Sequence, residues 1–438
     1  MLRKILNTLV FLALTAEVEG EIFDGKWGTI LMPIGTAIFR PSPIKVTLFD
    51  LMLLGVLVAG VSAQGPARLR AKPVSRALSV GLLSILAECI WGLVTGGDMR
   101  QTTWQIHHFV LMFVAAYAMI AIYRTPKHLV GLGKTILYAG FCRAAVLIYY
   151  DLTVVRGMAE RPATLTTHHD TVLFVTCIIM ALSYALERRT MKAALVAFFS
   201  FAVFALCIQL NNRRLAWVSL IFALVVLYVT MPDHQLKKRI KRGALILAPV
   251  LSLYIAVGWG RTEGIFKPVG SLSTMFGKHE DASSETRNIE NYNLIQTLKT
   301  NPILGTGWGH EYREISKAYD ISEIFKQYRF IPHNSVLGIF AFTGFLGFVG
   351  VWVVLPVSVY FNARTRRFAR APAERAAAVS GIAIVVIYAN QAYVDMGMTS
   401  LTGSMITAGA IAVAARLSVI TGAWPGGKTP PPAAHKRG

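Results

Sequence analysis

Long apolar runs separated by short polar clusters recur along the whole chain. A run of about 17 to 25 residues crosses a bilayer as a helix. On that measure the pattern predicts spans at 46–63, 77–94, 106–123, 136–150, 171–186 and 193–210, then at 215–230, 243–257, 335–360, 376–393 and 401–420. An apolar stretch at 5–16, behind Arg3 and Lys4, resembles a signal peptide, but Leu14 and Ala16 do not form the small-x-small pair of a cleavage site. It is expected to be a short first span, which brings the total to twelve. Residues 27–39 are also apolar; Pro33 and Gly35 within them favour an interfacial segment over a further span.

One polar stretch is long, at 258–332 between the ninth and tenth spans. Its apolar positions recur at helical spacing over 288–300 and 311–328, which predicts two short amphipathic helices joined by Gly305-Thr-Gly-Trp-Gly309. The fold class expected is an all-α integral membrane protein of about twelve transmembrane helices. Its parts are N-terminal spans in 1–257, a loop domain in 258–332, C-terminal spans in 333–425 and a tail in 426–438.

Charge supports the same count from a different direction. Alternate loops carry Arg68/Arg70/Lys72/Arg76, Arg124/Lys127/Lys134, Arg188/Arg189/Lys192, Lys237/Lys238/Arg239/Lys241/Arg242 and Arg364/Arg366/Arg367/Arg370/Arg375. Such loops are retained in the cytoplasm. The opposite parity places 258–332 on the non-cytoplasmic side. Composition agrees: 54% of the 438 residues are hydrophobic, 15% are charged, and mean hydropathy is +0.51. A soluble domain of that length has too much surface for so few polar residues. The net charge of +21 sits in those clusters rather than on a basic, aromatic-interleaved surface, so nucleic acid is not the expected partner. Cys89, Cys142, Cys177 and Cys207 each lie inside an apolar run, without a CxxC or a Cys/His pair at zinc spacing.

Ionisable groups near membrane depth are costly and therefore candidates for function. Arg213 and Arg214 sit in Gln209-Leu-Asn-Asn-Arg-Arg-Leu-Ala-Trp217, a tight outer turn between the seventh and eighth spans. Arg287 stands at the start of the first loop helix. Arg156 and Arg161 precede His168-His169-Asp170, and Pro332-His333-Asn334 opens the tenth span. These residues are expected to converge on one outer pocket. Each also has a plainer reading: arginine contacting lipid phosphate, His333 or Asp170 capping a helix, and His107 and His108 as interfacial residues. Arg143 and Glu88, within spans, are read as snorkelling residues or members of a structural ion pair. Gly305–Gly309 lacks the GK[ST] ending of a nucleotide loop, and no Asp-x-Asp, HExxH or Gly-x-Ser-x-Gly occurs. No metal or other cofactor is expected.

The order of these features resembles the O-antigen ligase and polymerase family of bacterial membrane proteins. The matching parts are the arginine turn Arg213/Arg214-Leu-Ala-Trp217 and the long outer loop with Arg287 leading a helix to Leu298. Asn301-Pro302-Ile-Leu-Gly305-Thr-Gly307-Trp-Gly309, Pro332-His333-Asn334-Ser335-Val-Leu337 and the glycine-containing span from Gly344 to Gly350 complete the match. The family usually has a Ser-Arg-Gly type of turn; here the turn is Asn212-Arg213-Arg214-Leu215, and both arginines remain candidates for the matching position.

The resemblance implies transfer of a glycan from an undecaprenyl-diphosphate carrier to an acceptor hydroxyl, either lipid A-core (ligase) or another carrier-linked repeat (polymerase). In that reading His333 is the general base and Arg213, Arg214 and Arg287 bind the diphosphate. Arg156, Arg161, His169 and Asn334 are possible substrate contacts. Residue chemistry agrees, since guanidinium forks suit phosphate oxygens and a helix N-terminus keeps an imidazole neutral. The alternative is a flippase for the same lipid-linked sugar. Transporters usually carry internal repeats and mid-membrane charges, whereas these candidates lie at one surface.

Overall fold

The computed structural model describes residues 1–16, 37–39, 46–63, 71–162, 164–232, 235–261, 264–266, 269–270, 273, 282–317, 322, 327–395, 397 and 400–424. In chain order the helices are α1 (Leu2–Thr15), α2 (Leu48–Ser62), α3 (Lys72–Val94), α4 (Met99–Ile122), α5 (Pro126–Thr153), α6 (His168–Arg188) and α7 (Met191–Asn211). They continue with α8 (Arg214–Thr230), α9 (Gln235–Gly258), α10 (Ala282–Thr300), α11 (Ser335–Trp352), α12 (Val354–Phe368), α13 (Pro372–Val394) and α14 (Leu401–Ile420). Residues 17–36 and the tail at 426–438 lie outside the described residues.

Local chemistry sets many of these ends. Thr47 and Asp50 exchange hydrogen bonds in a capping box that opens α2, while Asp98, Thr190, Asn334 and Ser400 side chains cap α4, α7, α11 and α14. Proline stands in the first turn of α3, α5 and α13, where its missing N–H costs nothing. Arg189 and Asn212 take left-handed conformations that end α6 and α7. Asp170 is not a cap: Thr167 holds the N-cap position of α6, and Asp170 makes a buried bidentate pair with Arg143 at 2.8 and 2.9 Å. The structural ion pair expected for Arg143 is thus present.

Among the described residues, nine helices are long and apolar enough to cross a membrane, and each coincides with an expected span. The remaining three expected spans, α1, α2 and α8, are 14, 15 and 17 residues long. At about 1.5 Å per residue these fall short of a hydrocarbon core of about 30 Å. The bundle is built around α14, whose apolar window is 94% buried. Its Gly403, Ser404, Thr407, Ala408, Gly409 and Ala410 let neighbouring backbones approach closely, as in other membrane bundles. By contrast, none of the apolar window of α9 is buried within the chain.

The polar stretch after α9 contains the expected helix, α10, which begins about a turn and a half earlier than the periodicity suggested. The second expected helix, at 311–328, does not form in its described residues. Side chains of α10 take its backbone groups instead. Asn293 Oδ1 accepts from the amides of Ile315 and Ser316 at 3.0 and 2.9 Å, and Thr297 Oγ1 accepts from that of Arg313 at 2.8 Å. The Tyr312 amide donates to Arg329 O at 3.0 Å, so the segment folds back on itself rather than coiling.

Gly305–Gly309 forms an inserted wedge. Gly344, at φ 56°, breaks α11 and frees the carbonyl of Phe342, which accepts from Gly307 N–H at 2.7 Å. On the other side Trp91 Nε1 donates to Gly305 O at 3.3 Å, and a Cβ on Gly307 would sit 2.3 Å from Gly92 Cα. Trp308 is fully buried. Irregular backbone at this depth is tolerated because protein encloses it.

Candidate active site

The end of the outer loop meets α10 at His333. Asn334 Oδ1 caps α11 by accepting from Leu337 N–H at 3.1 Å, and this fixes the chain direction one residue after the imidazole. On α10, Arg287, Glu290 and Asn291 lie three and four residues apart and share one face. Glu290 is buried at 5% exposure. Its Oε2 accepts from the His333 backbone amide at 3.0 Å, and its carboxylate lies 3.3 to 3.4 Å from His333 Nδ1. The imidazole itself keeps 25% of its side-chain surface exposed. Asn334 Nδ2 donates to Asn291 Oδ1 at 3.1 Å, a second tie between the two helices. Among the described residues Arg287 forms no ion pair or hydrogen bond, although it is half-buried one turn before Glu290. Tyr312 is buried nearby; burial first, and the Glu290 carboxylate second, push its phenol far above the usual range.

A second group of polar side chains gathers where α6, α8 and α13 end. The αL turn at Asn212 aims Arg213 back across the bundle end. Its Nη2 donates to Thr166 O at 3.0 Å and to Thr164 Oγ1 at 3.3 Å, and Nη1 meets His168 Nε2. His168 in turn pairs through Nδ1 with Asp395, which is 5% exposed. Asn211, buried beneath, accepts from the amides of Leu165 and Thr166 at 3.2 and 2.8 Å. Arg214 is exposed in the first turn of α8, and His169 is buried in that of α6. Arg156 and Arg161 converge on Asp151, at 4.0 and 2.9 Å, at the end of α5.

Of the cations expected to converge, Arg213 meets His168, Arg287 stands one turn before Glu290 on α10, and Arg156 and Arg161 gather around Asp151. His107, expected at the interface, donates from Nε2 to the Asp50 carboxylate at 2.8 Å. Among the described residues no three His, Cys, Asp or Glu side chains converge as a metal site would require.

Residues 199–352 match the O-antigen ligase family model. No curated protein matches the chain. The O-antigen ligase match covers about a third of the sequence, from within α7 to the end of α11. It takes in Arg213, Arg214, Arg287, Glu290, the glycine wedge, His333 and Asn334, the same stretch on which the resemblance rests. It supports a transferase of ligase or polymerase type, and the apolar helices support a multi-pass membrane protein.

Three residues now stand out that the sequence did not single out for these contacts. Glu290 lies three residues after Arg287, and its hold on His333 reaches across 43 positions of the chain. Asp395 is an acid at the end of an apolar run, a position as costly as that of Arg213. Gln105, on α4 and fully buried, accepts from Gly309 N–H at 2.6 Å and donates to Phe330 O at 2.8 Å. It thereby ties Gly309 to Phe330 across the segment before α11, and nothing in its surroundings along the chain announces that.

Proposed function

We propose that this chain transfers a glycan from an undecaprenyl-diphosphate carrier to an acceptor hydroxyl at the periplasmic face of the inner membrane, as O-antigen ligase onto lipid A-core or as polysaccharide polymerase. The observation that carries this reading is the hold of Glu290 on His333. With Nδ1–H donating to the carboxylate, Nε2 keeps its lone pair for the substrate, the tautomer a general base needs. The acceptor hydroxyl gives its proton to Nε2 as its oxygen bonds to the anomeric carbon. The bond from that carbon to the phosphate oxygen breaks, and its electron pair leaves on the diphosphate. A single displacement of this kind inverts the anomeric configuration. Arg287, with Arg213 or Arg214, neutralises the charge that develops on the leaving group, a task suited to the guanidinium fork. Arg287 has its donors uncommitted, which favours it as the phosphate ligand.

The test is transfer by the purified full chain in vesicles given a fluorescent carrier-linked glycan, with lipid A-core and a second carrier-linked repeat offered separately. Product on one acceptor, undiminished by EDTA, supports the reading and separates ligase from polymerase. Movement of the intact donor between leaflets without any product overturns it in favour of a flippase.

A further inference from the structure

A cleft opens at the opposite end of the bundle from His168, Arg213 and Asp395. The same helices reach it by their other ends: α6 with Ser183, Glu187 and Arg189, α8 with Leu227 and Met231, and α13 with Val379. Arg366 of α12 completes the wall. Two donors in it have no partner. Ser183 Oγ belongs to a fully buried residue and makes no hydrogen bond, and the Nε–H of Arg366 is buried and equally unpaired. Buried polar groups are rarely left so, because losing water without a replacement is costly. The cleft offers about 20 Å³, room for one water or one ligand oxygen, and is open to its surroundings.

Charge defines which oxygen suits it. Arg189 and Arg366 line the cleft, and Arg375 stands beside it, 2.6 Å from Glu187. Glu187 also lies 3.6 Å from Arg366, so two arginines share one carboxylate and Arg189 adds a further positive charge to the wall. An anionic oxygen satisfies the two idle donors and the excess positive charge together. The rest of the wall is mostly apolar, with Leu186, Leu227, Met231, Pro232 and Val379, and the hydroxyl of Thr230 is already committed to Val226 O and Leu227 O. These apolar side chains suit a ligand whose charged head continues into an apolar stem. Basic pockets between membrane helices take phospholipid head groups in this way.

We propose that this cleft binds the phosphate of an anionic phospholipid from the leaflet carrying the arginine-rich loops. Ser183 and Arg366 contact a phosphate oxygen, and Glu187 competes with the lipid for the arginines. Binding at this end is separate from glycan chemistry at the other.

The experiment is native mass spectrometry of the delipidated full chain titrated with phosphatidylglycerol, phosphatidylcholine or inorganic phosphate. The wild type is expected to retain phosphatidylglycerol in preference to phosphatidylcholine. R366Q should weaken that binding about tenfold and S183A about threefold, from the loss of a charge-assisted and a neutral donor. E187Q should tighten it, a direction that a merely structural ion pair does not produce. If R366Q fails to fold, S183A and E187Q still decide. Equal retention of the two lipids, or E187Q that weakens binding, overturns the proposal. Displacement of the lipid by millimolar inorganic phosphate reassigns the site to a free anion and overturns the lipid assignment.

Discussion

At the scale of single residues, His333 and Glu290 make separable predictions. Removing the imidazole in His333→Ala takes away the base, so transfer should fall by about a hundred- to ten-thousandfold while carrier lipid is still bound. If His333 only packs and hydrogen-bonds Glu290, the loss is confined to about 1 kcal/mol of stability, visible in the melting temperature rather than in turnover. Glu290→Gln keeps a hydrogen-bond acceptor for Nδ1 but removes the charge, and should cost less than His333→Ala, up to roughly a hundredfold. Turnover and donor binding measured on the same purified proteins separate these cases; near-normal transfer in His333→Ala ends the base assignment. For Arg287 the informative change is to lysine. The charge stays, the planar fork goes, and transfer is expected to drop at least about tenfold with a matching rise in the donor concentration required. Unchanged transfer in Arg287→Lys and Arg287→Ala removes that residue from the site.

At the scale of elements, the reading from sequence succeeded where burial and period coincide and failed where side chains override period. The nine long spans were legible because lipid demands long apolar runs. Residues 311–328 were not, because Asn293 and Thr297 capture backbone amides that a helix would have used. The glycine wedge read as a linker; its enclosure depends on Gly92 and on the break at Gly344, more than thirty residues away on either side. His333 was legible from Pro332 before it and the span after it, whereas the burial of Glu290 against it depends on a contact 43 positions away. Gln105 belongs to this scale too. Gln105→Leu leaves the Gly309 amide and the Phe330 carbonyl unpaired in a buried place, at about 1 to 3 kcal/mol for each group. The melting temperature should fall and transfer with it. A pH profile of Gln105→Glu adds the discriminating measurement: a protonated carboxyl can both accept from Gly309 and donate to Phe330. Its activity relative to the wild type should therefore rise as pH falls, and a flat ratio would show that Gln105 does not position the loop.

For the whole molecule the open question is which way the bundle faces. With Cys89, Cys142, Cys177 and Cys207 replaced, a cysteine at Ser316 should react with an impermeant thiol reagent from the periplasm and one at Gln235 should not. The reverse labelling pattern inverts the topology and removes the periplasmic assignment with it.

The wedge between α3 and α11 also governs the order of biogenesis. Trp91 and Gly305, hydrogen-bonded across it, are 214 positions apart in the chain. At about 5 to 20 residues per second, α3 waits roughly 10 to 40 s during synthesis before its partner emerges. Gly307 then needs the carbonyl of Phe342, which exists only once α11 has been made and inserted. A ribosome-bound chain that has reached only α10 thus has its arginines in place but no dock for the loop and no His333. The candidate site is complete only once the C-terminal helices have been made.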